Sequence, residues 1–177
     1  MKIYLVRHAQ KEGEGENPNL TRKGIKQAKF LSRRLKKIKF EDFYSSNTNR
    51  TIQTSEVVSK KIKMKFKIEP SLNEYLSRDI KENKSKWKKE ELKRYNMMIN
   101  FLNNKTKNPS SEINILIIAH GIANRLILSH FLKIPIEKTI PFRQDETNIN
   151  ILEYAPDYKN WRLTKLNDNS HLPENLK

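Results

Sequence analysis

The apolar run Ile3-Tyr4-Leu5-Val6 stops at Arg7-His8, which puts a guanidinium and an imidazole where a buried strand would end. In an open α/β sheet, ligands bind at the carboxyl ends of the strands. The same design returns at Ile113 to Ala119, a second strand-like run that closes on His120-Gly121 and leads into a helical pattern. Two strand-end histidines in one small chain point to a paired site. At 177 residues the chain is long enough for one domain with its own core, and no repeat or second domain is visible. Residues 1–177 therefore read as a single domain.

Between these two junctions the pattern alternates. Thr21 offers an N-cap hydroxyl before a helix over Arg22 to Lys37, with Ile25, Ala28, Leu31 and Leu35 at helical spacing. Phe40 to Ser45 predicts a short strand, Thr48 to Met64 a helix carried by Ile52, Val57, Val58 and Ile62, and Phe66 to Ile68 another strand. From Leu76 to Pro109 a lysine-rich stretch places Trp87, Leu92, Tyr95, Met98, Ile99 and Leu102 on one helix face, a packing stripe. A helix over Ile122 to Leu132 follows the second histidine, and Ile149 to Tyr154 and Trp161 to Leu166 read as two last strands. This alternation predicts an α/β fold, with a mostly parallel central sheet flanked by helices and an antiparallel pair at one edge. The polar tail from Asp168 is expected to be loosely held.

Composition removes several classes of chemistry. Without cysteine there is no disulfide, no thiolate zinc site and no cysteine nucleophile. No stretch has signal-peptide form or approaches a membrane span, so the expected setting is the cytoplasm, away from membranes. The net charge of +16 favours anionic partners. Its lysines are spread over several helices rather than gathered into one module, which argues for small anionic substrates and against nucleic acid.

Four elements combine on chemical grounds. Arg7-His8, Ser45-Ser46 with Arg50, Leu72-Asn73-Glu74 and His120-Gly121 each follow a predicted strand, and in a parallel sheet these ends share one edge. Two arginines and two histidines make a cationic pocket suited to a phosphoryl group, whose oxygens arginine grips through paired hydrogen bonds. Glu74 is the acid among them. Taken singly, Arg50 also reads as a solvated helix residue and Glu74 as a loop carboxylate.

The order of these motifs resembles the histidine phosphatase superfamily, the phosphoglycerate mutase-like family. The family's Arg-His-Gly stands here as Arg7-His8-Ala9, and its helix start as Leu20-Thr21-Arg22-Lys23-Gly24-Ile25-Lys26-Gln27-Ala28. Its serine turn runs from Tyr44-Ser45-Ser46 through Arg50-Thr51 to Thr54, its acidic element is Leu72-Asn73-Glu74, and its second histidine motif is Ala119-His120-Gly121 with Arg125 beyond. Arg143-Gln144-Asp145 before Asn150-Ile151-Leu152 is similar to a further family segment.

The resemblance implies a three-layer phosphoglycerate mutase-like fold and a metal-free, cofactor-free mechanism. His8 would attack phosphorus to form a phosphohistidine, with Arg7, Arg50 and His120 holding the phosphoryl oxygens and Glu74 protonating the leaving alkoxide. Gly121 and Gln144 join the substrate-binding set, and residues 76–109 become a helical insertion near the site's mouth. There Lys81, Lys84 and Lys86 either draw in anionic metabolites or form a solvated face. Thr21 reads as a cap, Thr54 as packing, Ser45 and Ser46 as turn-formers or as a hydroxyl or backbone amide near the phosphate, and His130 and His171 as structural or exposed.

Departures from the pattern are local. Ala9 replaces a glycine, and Asn47 stands where proline is common. Glu14 occupies the place of a phosphate-binding asparagine, for which Asn17 is the substitute if the loop bends suitably. Glu12, Glu14 and Glu16 either select a positively charged group or face solvent. The separation between Glu74 and His120 is too short for the insertion of large mutases, which favours hydrolysis of phosphate monoesters over phosphoglycerate mutase activity. Glu74 argues for esters over protein phosphohistidine, whose leaving group needs no acid. The remaining alternative is a non-catalytic basic binding protein, with affinity that falls steeply with salt.

Overall fold

Strand β1 (Lys2–Arg7) buries its four central residues whatever side they point to, and a strand without a wet face has to be covered on both sides. In the computed structural model, which describes residues 1–13, 15–75, 87–109 and 112–177, β1 sits inside a six-stranded sheet. The other strands are β2 (Asp42–Ser45), β3 (Lys67–Ile68), β4 (Asn114–Ala119), β5 (Ile149–Ala155) and β6 (Asn160–Asp168), in the order β3-β2-β4-β1-β5-β6. Pairings β3–β2, β2–β4 and β4–β1 are parallel, whereas β1–β5 and β5–β6 are antiparallel. The sheet is thus parallel on one side of β1, with an antiparallel pair closing the other edge, as the sequence predicts.

Side-chain alternation divides the core into two layers. Ile3, Leu5, Ile115 and Ile117 pack with Met98 and Leu102 of α3 (Lys89–Lys105) and with Leu126 and Ile127 of α4 (Gly121–Leu132). Tyr4, Val6, Leu116 and Ile118 pack on the opposite side with Leu31 and Leu35 of α1 (Arg22–Leu35) and Val58 of α2 (Asn49–Ile62). Each fully buried Leu or Ile contributes about 1.5–3 kcal/mol of transfer free energy. The two sets of interlocked residues hold helix, sheet and helix as three layers.

Three local expectations change. The inward side of α2 is mostly hydroxyl: Thr51, Thr54 and Ser55 are buried with Val58, while Ile52, Val57 and Ile62 are only partly covered. The reason is position, because the first turns of α2 face the polar loop after β1 rather than the apolar sheet. Within the stretch 76–109, the helix spans Lys89–Lys105 and does bury Tyr95, Met98 and Leu102; Lys81, Lys84 and Lys86 lie outside the described residues. The tail beyond Asp168 is docked, not loose. Leu172 and Leu176 are buried, and Gln27 Nε2 donates to Leu176 O at 2.8 Å.

One glycine holds the helix layer close to the β1 loop. Gly24, in the first turn of α1, faces the Gln10 carbonyl so closely that an added Cβ would stand 2.1 Å from that oxygen. In an ordinary exposed helix, Gly→Ala stabilises by about 1 kcal/mol. Here the sign should reverse. Gly24→Ala is expected to destabilise by about 1–3 kcal/mol through overpacking, read as a lower urea midpoint. A stabilised variant would show that α1 can shift away from Gln10 without cost.

Candidate active site

Strand register builds the site before any side chain is considered. Arg7 lies opposite Ala119 on the parallel pair β1–β4, and His8 N–H donates to Ala119 O at 3.0 Å. Ser45 lies opposite Ile118 on β2–β4, and Ser46 N–H donates to Ile118 O at 3.2 Å. Three neighbouring strands therefore release His8, His120 and Ser46 at one level. The two imidazole rings meet edge to face with centroids 5.2 Å apart, and Ser46 Oγ lies 2.7 Å from His120 Nε2.

The tautomer of His8 follows from one contact and its charge from burial. Its Nδ1 lies 2.8 Å from Ala9 O, and a carbonyl oxygen only accepts, so Nδ1 carries the hydrogen and Nε2 keeps its lone pair. Burial pushes the His8 pKa down to about 3; the Ala9 hydrogen bond opposes the shift, and the positive charges of Arg7 and Arg50 add to it. At neutral pH the ring is uncharged.

The loop behind His8 is tied at each residue. Ala9 N–H donates to Thr54 Oγ1 at 3.1 Å, and that hydroxyl donates to Arg50 O at 2.7 Å. Gln10 N–H donates to Gln27 Oε1 at 2.8 Å, and Leu20 N–H to Gln53 Oε1 at 2.7 Å. Thr21 caps α1 by accepting from Gly24 N at 2.9 Å, as its position predicts. The sequence reading took Thr54 for packing. It is instead a hydrogen-bonded link between the His8 loop and the Arg50 turn.

The charged groups close around this pair. Arg7 Nη1 donates to Gln144 O at 2.6 Å, and its backbone N–H donates to Asn148 Oδ1 at 3.2 Å. Arg50 has a buried Nε with no hydrogen-bond partner among the described residues, as does His120 Nδ1. Burial lowers the His120 pKa well below that of a free imidazole, and the nearby His8, Arg50 and Arg7 act in the same direction. Two unpartnered buried polar groups in a cationic pocket are what a phosphoryl group's oxygens would satisfy.

Glu74 sits over the start of α4. Its Oε1 accepts from Tyr75 N at 3.1 Å and from Ile122 N and Ala123 N at 3.2 Å each. Burial raises its pKa more than these three donors and the Arg7 charge lower it. Oε2 takes no hydrogen bond among the described residues, so the anchored carboxyl keeps one oxygen to carry a proton. Arg94, absent from the sequence reading, holds the backbone here: it donates to Glu74 O at 3.0 Å and lies 4.0 Å over the Tyr75 ring.

Other predicted residues lie further back. Asn17 is exposed and ties to the start of α2, accepting from Asn49 N at 2.7 Å and donating to Asn49 Oδ1 at 3.1 Å. Gln144 is buried in amides rather than lining a mouth: its Oε1 accepts from Asn150 at 2.8 Å and Asn148 at 3.0 Å. Gly121 leaves room beside Arg7, where an added Cβ would make ordinary contact at 3.8 Å. Glu12 and Glu16 are exposed, and Glu14 lies outside the described residues. Arg125 donates to Phe142 O, and His130 pairs with Asn103, both structural links. A cavity of about 410 Å³ opens beside Arg7 between Gln27, Arg143 and Glu146. Neither histidine lines it, so the hydrogen-bond geometry, and not this void, locates the chemistry.

Sequence reasoning missed Gln27, Thr51 and Asn148 as parts of this assembly, and it did not pair Ser46 with His120. A signal existed for Gln27 and Thr51, which stand within the quoted motifs. Asn148 had none, since an isolated asparagine before a strand reads as a turn. Among the described residues no cluster of three or more His, Asp or Glu side chains could hold a metal ion, and no helix is long and apolar enough to cross a membrane.

Burial of neutral histidines ties stability to pH. The folded-state pKa of His8 falls to about 3 and that of His171 to about 4, and His120 is also lowered. The unfolded chain binds these protons first, so stability is complete above about 6.5 and declines as pH falls toward those values. Each such histidine adds a slope of up to about 1.4 kcal/mol per pH unit. The urea midpoint should drop between pH 7 and 4, and His8→Asn should flatten that drop. An unchanged slope in the variant would assign the acid sensitivity to other groups.

Known proteins share this fold. A sequence profile of the histidine phosphatase superfamily (branch 1) matches residues 3–112 and 92–169. Probable phosphoglycerate mutase GpmB of Proteus mirabilis is 24% identical, over 98% of this chain and 96% of its own length. Phosphoserine phosphatase from Entamoeba histolytica, solved in complex with 3-phosphoglyceric acid, superposes with a TM-score of 0.80 and 17% identity over 97% of this chain and 99% of its own. Alpha-ribazole phosphatase from Shigella flexneri gives 0.75 and 22% over 96% and 97%. The two structures establish a common fold, and the profile covers both histidine motifs and the serine turn. The chain belongs to the histidine phosphatase superfamily, branch 1.

Proposed function

We propose that this protein hydrolyses phosphate monoesters of small molecules through a phosphohistidine on His8. The observation that carries the proposal is the hydrogen bond from His8 Nδ1 to Ala9 O, which, in a ring that burial keeps neutral, leaves the Nε2 lone pair free beside two arginines. Nε2 attacks phosphorus while the bond to the leaving oxygen breaks, and Glu74 gives its proton to that oxygen. Water then attacks the phosphohistidine, Glu74 takes back a proton, and inorganic phosphate leaves. Arg7, Arg50 and His120 hold the non-bridging oxygens throughout, which is the main form of catalysis in phosphoryl transfer. Gly121 gives Arg7 room, Gln144 supports it, and Asn17 positions the Arg50 turn.

Mutase chemistry uses the same first half-reaction. The relative named a probable mutase is matched over nearly its whole length, so chain length alone does not separate the two outcomes. With 3-phosphoglycerate, free phosphate should form faster than 2-phosphoglycerate. The opposite order would make this protein a mutase.

The acid assignment predicts a particular pH profile. Since His8 must be neutral and Glu74 protonated, kcat/KM for an alkyl phosphate should rise through about pH 3 and fall again through the raised pKa of Glu74. Glu74→Gln should lower that rate by roughly 10²–10⁴ and remove the alkaline limb. With p-nitrophenyl phosphate, whose leaving group needs no proton, the loss should be much smaller. Equal losses on both substrates would remove Glu74 from proton transfer, whereas His8→Ala should abolish turnover and acid-labile phosphoenzyme alike.

A further inference from the structure

The nitrogen of His120 that faces Ser46 is not the one left for a ligand. Nε2 lies 2.7 Å from Ser46 Oγ, while Nδ1 is buried without a partner among the described residues. Which nitrogen carries the hydrogen therefore depends on which way the Ser46 hydroxyl points. If Ser46 accepts from Nε2–H, Nδ1 is a bare lone pair and repels a phosphoryl oxygen. If Ser46 donates to Nε2, Nδ1–H becomes a donor to it.

A buried hydroxyl chain couples this choice to Thr51. Ser46 Oγ lies 2.8 Å from Thr51 Oγ1, and both residues are fully buried. Thr51 Oγ1 is within reach of three acceptors: Ser46 Oγ, Ser46 O at 3.0 Å and Thr48 O at 2.9 Å. Both carbonyls have other donors. Ser46 O receives Ser45 Oγ at 3.1 Å, and Thr48 O receives Thr51 N at 3.1 Å and Ile52 N at 2.9 Å. Thr48 Oγ1 lies 2.9 Å from Thr51 Oγ1. A Thr51 proton given to Ser46 Oγ, in place of either carbonyl, directs the Ser46 proton at His120 Nε2, and this is the arrangement that gives the unpartnered Nδ1 a hydrogen to offer a ligand.

We propose that Ser46, backed by Thr51, is the positioning residue for His120: its hydroxyl donates to Nε2, fixes the Nδ1–H tautomer and leaves that N–H for a phosphoryl oxygen. The proposal rests on the phosphatase reading only for the identity of that oxygen. Both histidines then share one tautomer for opposite uses. His8 gives its Nδ1–H to a carbonyl and offers a lone pair, whereas His120 receives a hydroxyl at Nε2 and offers a hydrogen.

The test is nitrogen-15 NMR of histidine-labelled full-length protein, free and with saturating inorganic phosphate. His120 should show a protonated Nδ1 and an unprotonated, hydrogen-bonded Nε2 in both states, because the hydroxyl chain is internal. A protonated Nε2 in the wild type overturns the proposal without recourse to any variant. Ser46→Ala should let the Nε2–H form appear and lower kcat at least about tenfold, toward the roughly 10²–10³ lost with one transition-state donor. Ser46→Thr, which retains the hydroxyl, should keep the wild-type tautomer. An unchanged tautomer in Ser46→Ala, or equal loss of activity in both variants without a change in tautomer, would make Ser46 a packing residue. The two readings fail separately. Absence of phosphoenzyme on His8 would reject the phosphatase reading while the spectrum still reports on Ser46.

Discussion

Parallel pairing of β1 with β4 is the constraint on which the site depends. Because Arg7 stands opposite Ala119, each strand reaches its last paired residue at the same level and delivers a histidine there. A slip of one residue would turn each strand's buried set to the wrong side. Both sides are packed, so the register is held by Ile3, Leu5, Ile115 and Ile117 against one helix layer and by Val6, Leu116 and Ile118 against the other. The distance between the two imidazoles is therefore a property of the core. Loop flexibility has little say in it.

Around the strand ends the packing changes from apolar to polar. Burying unpaired polar groups is costly, and hydrogen bonds to the loop backbone offset much of that cost here. Thr54, Gln27 and Gln53 each accept a backbone N–H from the loop beside His8 or its return. Behind Arg7, the amides of Gln144, Asn148, Asn150 and Asn167 bond to one another across the antiparallel edge. Of the buried groups without a partner among the described residues, His120 Nδ1 and Arg50 Nε lie where the positive charges converge. Stability and reactivity are divided between adjacent shells.

Much of this was legible in the sequence, and the boundary is physical. Strands with two apolar sides, helices with apolar stripes and the strand-end histidines announce themselves because burial selects residue type at fixed spacing. The hydroxyl side of α2 did not, since Thr51, Thr54 and Ser55 look like ordinary helix-start residues until their partners are known. Ser46 read as a turn-former or a neighbour of phosphate, not as a partner of His120, for the same reason: a hydroxyl's role depends on what lies about 3 Å away, and in this case that is a residue distant in sequence. The docked tail was hidden by composition. Two leucines, Leu172 and Leu176, anchor a segment that is otherwise polar.

His120 caps α4, and the N–H groups that grip Glu74 belong to the first turn of that same helix. On the proposed assignment, one rigid element thus carries both the group that steadies the phosphoryl oxygens and the anchor of the acid that serves the leaving oxygen. Positions 120, 122 and 123 fall within one helical turn, so the two groups are held in a fixed relation to each other. Recognition of the remainder of a substrate falls to other elements, which leaves substrate preference free to drift while the bond-breaking apparatus stays fixed.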